Sequence, residues 1–341
     1  MFRRTARAEP IAFGHYPTPV QRVAPLSTAE SELWVKRDDL THSVYGGNKV
    51  RKLEHLLADA RARGATRVVT VGAAGSHHVL ATAYFGARAG LAVEAVLVPQ
   101  PRTPHVLEVL RADVALGLRA FPVDSWVAAP FAVARRIAAG ARFVALGGSS
   151  VVGSMGYVAA ARELASQVHS GAMPEPDVCV VALGSGGTAA GLAAGFEAEG
   201  IRTRVVGVCV SAPPWLVRVL SLLLARACAR RAGVHPHRAS VASMRDRLAL
   251  DLRFLGGGYG HPTPEGEEAT RTALGAAGLV LDPTYTAKAF ASTLWHLRAR
   301  RARHVLYWHT LSSAPMGPLL QGAPEEDALD PSLRRLLKPR A

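Results

Sequence analysis

Lys49 lies in the run Gly46-Gly47-Asn48-Lys49-Val50-Arg51-Lys52-Leu53-Glu54. Two glycines precede it, and glycine lets the backbone take φ > 0. A helical pattern follows at once, with Leu53, Leu56, Leu57 and Ala60 on one face. The pattern predicts a turn that presents an amine at a loop-to-helix junction. Of 40 basic residues only Lys36, Lys49, Lys52, Lys288 and Lys338 are lysine. A chain that uses arginine almost everywhere, yet keeps lysine twice in this short stretch, has a use for an amine there. An amine can lose its proton and condense with a carbonyl; a guanidinium cannot. The competing reading is a solvated charge at a helix start.

The strongest local signal is Gly184-Ser185-Gly186-Gly187-Thr188, between the apolar run Val178 to Leu183 and a helical run from Ala189 to Ala198. Glycines let backbone amides close on an anion, the hydroxyls add donors, and a helix N-terminus adds positive potential. This is the composition of a phosphate cradle. It is not a Walker loop, because no lysine follows, and it lacks the spacing and downstream acid of a dinucleotide fingerprint. The competing reading is an ordinary glycine-rich βα turn.

Ser76 also follows a strand and precedes a helix. Its hydroxyl and the neighbouring amides suit a carboxylate, and an N-cap role is compatible with that. His77 and His78 are adjacent, a spacing that suits no helix-face metal pair, so no metal site is expected. Tyr259 lies among glycines and Tyr285 beside Asp282-Pro283, both placed to stack on a planar ring. Thr310 follows the last strand, where a hydroxyl reaches the C-terminal edge of a sheet. An amine, a carboxylate loop, a phosphate loop and ring-stacking tyrosines together fit a phosphorylated aromatic aldehyde held at Lys49, with an amino acid as reactant. Pyridoxal 5′-phosphate matches that description.

The elements that position these residues alternate. Pro10, Pro17, Pro19 and Pro25 make residues 1–30 an extended arm. Leu33 to Arg37 is a strand, and the Lys49 helix runs to about Arg63. Strands at 67–72, 91–98 and 118–122 alternate with helices at 79–89, 104–115 and 125–139. Phe143 to Leu146 then leads into Gly147-Gly148-Ser149-Ser150 and a helix at 155–168. This alternation means parallel sheets with right-handed crossovers. Val178 to Leu183 has the continuous apolar character of a strand buried on both faces. Arg204 to Val210 is a further strand. Residues 211–250 read as mostly helical and Leu279 to Leu281 as a short strand. Helices at 263–277 and 288–300 precede a last strand at His304 to Trp308. The tail after Gly322 reads as a loose surface segment.

The chain has 341 residues, enough for two domains, with 49% hydrophobic and 19% charged residues, a globular composition. The net charge of +14 raises nucleic-acid binding. The arginines, however, are spread along helices rather than gathered with aromatics, so no nucleic-acid partner is expected. The run Arg298 to Arg303 suits a helix C-terminus. Cys179, Cys209 and Cys228 show no metal spacing and read as reduced thiols of an intracellular, cytoplasmic protein. MFRRTARAEP is basic but lacks the apolar core of a secretory signal. Trp215 to Ala229 is too short and too charged to span a bilayer, so no membrane partner is expected.

Several stretches, in order, resemble the D-cysteine desulfhydrase / 1-aminocyclopropane-1-carboxylate deaminase family. They are WVKRDDLT (34–41), GGNKVRKLE (46–54), GSHHVLATA (75–83), GGSSVVGSMGYV (147–158), LGSGGTAAGL (183–192), GGGYG (256–260), LDPTYTAKA (281–289) and HT (309–310). The group lies within the tryptophan-synthase-β-like, fold-type II pyridoxal-phosphate enzymes, and the resemblance runs from Pro17 to about residue 318. It implies that Lys49 carries the cofactor as a Schiff base and that Ser76 lies by the substrate carboxylate. Gly184, Ser185, Gly186, Gly187 and Thr188 then hold the phosphate, with Lys52 as a further contact. Asn48, His77 and Thr310 adjoin the cofactor, and Tyr259 and Tyr285 flank cofactor and substrate. Thr286 stands where the deaminases usually carry glutamate, which favours the desulfhydrase branch. The sequence departs from the pattern at His77, where asparagine usually bonds the cofactor's phenolic oxygen. It departs also at His-Thr-Leu-Ser-Ser in place of His-Thr-Gly-Gly, and at Ser-Ser in place of Ser-Asn at 149–150.

The expected fold is α/β, with two three-layer α/β/α domains, mainly parallel twisted sheets and the cofactor in the interdomain cleft. The small domain is expected at 52–160, the large one at 1–51 and 161–341. The expected activity is α,β-elimination from a small amino acid such as D-cysteine, with deamination, racemisation or non-catalytic cofactor binding as alternatives. The resemblance implies a homodimer.

Overall fold

The computed structural model describes residues 8–211 and 213–338. Most of the basic N-terminal stretch, and Pro339 of the tail, lie outside them. In chain order the elements are β1 (Val20–Arg22), β2 (Glu32–Arg37), α1 (Asn48–Ala62), β3 (Arg67–Ala73), α2 (His77–Arg88), β4 (Ala92–Val98), β5 (Gln100–Pro101), α3 (Pro104–Ala115), β6 (Arg119–Pro122), α4 (Ala129–Ala138) and β7 (Arg142–Phe143). There follow α5 (Val151–His169), β8 (Val178–Leu183), α6 (Gly187–Glu199), β9 (Arg204–Cys209), α7 (Pro214–Arg231), α8 (Val241–Arg247), β10 (Leu248–Asp251), α9 (Pro264–Ala277), α10 (Thr286–Arg298), β11 (His304–His309), α11 (Pro331–Arg334) and β12 (Leu337–Lys338).

The chain forms two compact units. One comprises Gly14–Lys52 and Ser149–Ser313. Its sheet has the order β1-β2-β11-β8-β9-β10, parallel throughout except for the antiparallel pair β1–β2. Apolar side chains cover both faces. Leu164, Cys179, Val181, Phe196 and Val205 belong to one core, and Val180, Val206, Phe290, Val305 and Tyr307 to the other. The alternate residues of β8 thus feed opposite layers, which is why its run is apolar throughout.

The other unit comprises residues 8–13, Leu53–Gly148 and 314–338. Its sheet, β6-β4-β3-β7, is wholly parallel. Val79, Leu97, Val106 and Leu110 pack on one side of it, and Val69, Val96 and Val133 on the other.

This division differs from the expected 52–160. Helix α5 belongs with α6, because Gly191 allows their backbones to approach closely: a Cβ there would lie 2.5 Å from the Ser154 carbonyl oxygen. The tail is not loose. Leu329, Leu333 and Leu336 are buried in the core of the 53–148 unit, and β12 pairs with β5. Two further expectations are corrected. Leu248–Asp251, of which 248–250 read as part of a mostly helical stretch, is the edge strand β10 beside β9. Leu279 and Leu281 are buried in the core but form no strand; apolar burial there comes without a ladder partner.

Candidate active site

Lys49 sits in the first turn of α1, and the turn before it is fixed from two sides. The Gly47 N–H donates to the Asp38 carbonyl (2.8 Å), and the Asn48 N–H to the Thr310 carbonyl (3.1 Å). Gly47 has φ of +88°, and a Cβ on it would lie 2.6 Å from the Thr310 oxygen; conformation and space both require glycine. The altered 311–313 loop docks here too, since the Gly46 N–H donates to Ser312 Oγ (2.9 Å). Below the turn is a buried ionic cluster. Asp38 accepts from Arg51 Nε and Nη2, Thr18 Oγ1, Tyr157 Oη and Trp308 Nε1. Arg51 also donates to Glu163, which holds Lys36 as well. Charges taken out of water hold only when each is paired and hydrogen-bonded, and every member of this cluster is.

The half-buried Lys49 Nζ donates to Asn48 Oδ1 (2.8 Å), and Asn48 Nδ2 donates to Thr188 Oγ1 (3.2 Å). The amine is therefore linked through Asn48 to the glycine-rich loop. Burial lowers its pKa to about 8, against the opposing pull of the Asp282 carboxylate. Lys52 is fully desolvated; burial, then the charge of Lys49, holds it well below the usual lysine range.

The loop after β8 has the form expected of an anion cradle. Gly186, with φ of +86°, is the N-cap of the thirteen-residue α6, and no acidic residue stands in its first turn. Ser149 Oγ lies 2.7 Å from Ser185 Oγ and accepts the Gly187 N–H (3.0 Å). Ser150 caps α5 by accepting the Gly153 N–H. The Ser-Ser departure from Ser-Asn thus gives one hydroxyl to the cradle and one to a helix cap.

Tyr285, at the N-cap of α10, donates its hydroxyl to Tyr259 Oη (3.0 Å), with the rings edge to face, 5.7 Å apart. Asp282 orients this corner by accepting the N–H of Thr284 and Tyr285 and the hydroxyl of Thr286. Desolvation raises the pKa of both tyrosines, Tyr285 the more, so both are protonated at neutral pH.

Two residues expected at the site belong to the other unit. Ser76 caps α2, its Oγ accepting the Val79 N–H at 3.4 Å. His77 Nε2 lies 2.8 Å from His105 Nε2, one ring donating and the other accepting. Among the described residues, no group of three or more His, Cys, Asp or Glu is arranged to hold a metal ion.

The profile of the family of pyridoxal-phosphate dependent enzymes matches residues 11–310. The chain belongs to this family. It is 34% identical over 310 residues to D-cysteine desulfhydrase of Yersinia enterocolitica, covering 86% of this chain and 90% of that protein. It is 34% identical over 305 residues to a putative 1-aminocyclopropane-1-carboxylate deaminase of Thermotoga maritima, covering 86% and 93%. Among solved structures it is similar to an ACC deaminase homologue, with a TM-score of 0.77 and 28% identity over 92% of this chain and 96% of that one.

Pyridoxal 5′-phosphate is the cofactor of this pyridoxal-phosphate enzyme, and the donor set fits it. An amine lowered to about 8 suits the aldehyde. The cradle of Ser149, Ser185, Gly187 and Thr188 at an acid-free helix N-terminus suits a phosphate monoester. Sequence reasoning flagged the 149–150 pair only as a departure from the family pattern, and it overlooked Asp38, Asp282 and Lys288 as parts of the site. Lysine scarcity pointed to Lys288 as well as Lys49, because a residue kept as lysine in an arginine-rich chain has a reason to be one. Ser149 and Asp38 lie in stretches that carry the resemblance, but their roles depend on partners distant in sequence.

Proposed function

We propose that this pyridoxal-phosphate enzyme is a lyase of the D-cysteine desulfhydrase type, converting D-cysteine and water to pyruvate, ammonia and hydrogen sulfide. The observation that carries the reading is the Lys49 amine, lowered to about 8 and bonded through Asn48 to the phosphate cradle. The relatives in both branches, desulfhydrase and deaminase, support it. Thr286 favours the desulfhydrase branch, because its hydroxyl is committed to Asp282 and the residue is buried. A side chain so engaged has no proton to exchange with substrate.

When bound, pyridoxal phosphate supplies an electron sink for the pair left at Cα once its proton is removed. Lys49 Nζ, neutral near pH 8, removes that proton. Ser149, Ser185, Gly187 and Thr188 would hold the phosphate, with Lys52 as a further contact, and Thr310, whose carbonyl accepts the Asn48 N–H, would support the cofactor through that turn. By the family resemblance alone, Ser76 would receive the substrate carboxylate and His77 would take the place of the asparagine that bonds the cofactor's phenolic oxygen. Tyr285 donates its hydroxyl hydrogen bond to Tyr259 Oη, which leaves the Tyr259 hydroxyl to donate to the departing sulfur as the Cβ–S bond breaks and its electron pair leaves with sulfide.

Pyruvate release from D-cysteine by the loaded protein, with L-cysteine and 1-aminocyclopropane-1-carboxylate in parallel, tests the reading. Pyruvate from the D form, lost in Lys49→Ala, is the expected result. 2-Oxobutanoate from the cyclopropane without pyruvate from either cysteine would assign the deaminase reaction instead. Cys179, Cys209 and Cys228 are all free and buried, which supports a reducing compartment, the cytoplasm. No described helix is long and apolar enough to cross a membrane. A homodimer completes the proposal, and a solution mass near the single-chain 36.0 kDa would remove it.

A further inference from the structure

Residues 255–260 (Leu-Gly-Gly-Gly-Tyr-Gly) carry Tyr259 on a backbone with little to hold it. Gly256, Gly258 and Gly260 all have positive φ, at +56°, +101° and +81°. The segment is a chain of three short turns: the Leu255 N–H bonds the Leu252 carbonyl, the Gly258 N–H the Leu255 carbonyl, and the His261 N–H the Gly258 carbonyl. Such turns are local and place no constraint on where the segment lies relative to the sheet. Free glycine-rich backbone also costs the most entropy to order, so Tyr259 meets Tyr285 at 3.0 Å only if something distant in sequence tethers the segment.

That tether is Lys288. Its side chain is wholly buried, and its Nζ donates to the Leu255 carbonyl (2.8 Å) and to the Gly258 carbonyl (2.9 Å). These are the two carbonyls that close successive turns, so one amine brackets the segment on either side of its flexible centre. Lys288 lies in the first turn of α10, the helix whose N-cap is Tyr285. The tether and the partner tyrosine are thus mounted on the same rigid element. An arginine fork would not fit two carbonyls converging on one point, whereas a tetrahedral ammonium does.

We infer that Lys288 is a positioning residue that sets the Tyr259–Tyr285 hydroxyl pair by clamping the 255–260 segment onto α10. Its amine is committed to the two backbone carbonyls, so it acts through Tyr259. The consequence for turnover rests on the lyase reading proposed above, but the clamp itself does not.

The test uses the cofactor-loaded full chain and two readouts. In hydrogen–deuterium exchange, Lys288→Met, which keeps length and burial but removes the donors, raises exchange across 255–261 by about tenfold or more. The same variant leaves α10 and the thermal midpoint near wild type. Lys288→Gln, able to reach one carbonyl, gives an intermediate rise. Tyr285→Phe, which keeps the clamp, leaves the segment protected. Unchanged protection in Lys288→Met would overturn the clamp. In kinetics, Lys288→Met lowers kcat/KM about tenfold in the wild-type background and less than about twofold in the Tyr259→Phe background, because both changes remove the same contribution. Losses that multiply would show that Lys288 acts elsewhere and would overturn the positioning role. A wild-type chain inactive on every amino acid offered would sink the lyase reading alone, and the exchange comparison would still decide the clamp. If Lys288→Met did not fold, Lys288→Gln would carry both comparisons.

Discussion

At the scale of single residues, two titratable groups have consequences of opposite kind. Lys49 must be neutral to condense with an aldehyde or accept a proton. Burial brings its pKa from an ordinary 10.5 to about 8, so the reactive fraction grows as pH rises and levels off above 8. The rate at which pyridoxal phosphate loads onto cofactor-free protein is expected to follow that limb, read by stopped-flow absorbance. A midpoint near 10.5 would place the amine in water, against the structure. Asp113, inside α3, is fully buried with neither carboxylate oxygen bonded, and burial raises its pKa well above the usual range. The folded state keeps a proton that the unfolded chain releases above about pH 4. Stability is therefore lost as pH rises from the unfolded pKa towards the folded one. Asp113→Asn removes that loss. It is expected to stabilise the fold at pH 7.5 and to change stability little at pH 4, as measured by denaturant melts. Equal effects at both pH values would show that Asp113 is solvated.

At the scale of elements, the start of α1 depends on Asp38. This carboxylate accepts from Arg51, Thr18, Tyr157 and Trp308, while the carbonyl of the same residue holds Gly47. Removing one partner of a buried ion pair leaves an uncompensated charge, so Asp38→Asn is expected to cost about 3–5 kcal/mol. Arg51 and its hydrogen bonds hold the Asp38 and Glu163 carboxyls below their usual pKa despite burial. Their contribution is present above the unfolded carboxylate pKa and is lost as pH falls through the folded values. Acid titration of stability should therefore be shallower in Asp38→Asn than in wild type, and an unchanged slope would contradict the assignment. Much at this scale was legible beforehand. Helix α1 was readable from its leucine spacing and β8 from its unbroken apolar run, because each follows from a local period. Strand β10 and the 279–281 connector were misread for a related reason. Four residues carry too little period, and whether an apolar triplet finds a ladder or only a core depends on a neighbour elsewhere in the chain.

At the scale of the whole chain, the 53–148 unit is completed by residues more than 150 positions downstream. Leu329, Leu333 and Leu336 fill its core, and Arg111 holds the Pro324 carbonyl and Glu325. Ending the chain at Gly322 is expected to destabilise that unit by more than the about 2–5 kcal/mol of a single buried leucine deletion, seen as a lower thermal midpoint. A truncated chain that melts like the full one would make the tail dispensable.

The sequence by itself determined the alternating α/β order and offered the candidate groups, an amine, a glycine-rich turn and two tyrosines, each written in a short stretch whose meaning is local. It also singled out Lys49, Gly184 to Thr188, Tyr259 and Tyr285 as candidates by type and context. Only the tertiary structure decided how far the Lys49 amine is desolvated, that Ser149 serves the cradle, that Asp38 anchors the turn, and that the tail belongs to a core. Those properties depend on which distant groups come within hydrogen-bonding distance, and burial and pairing between remote segments leave no period in the chain for a reader to find.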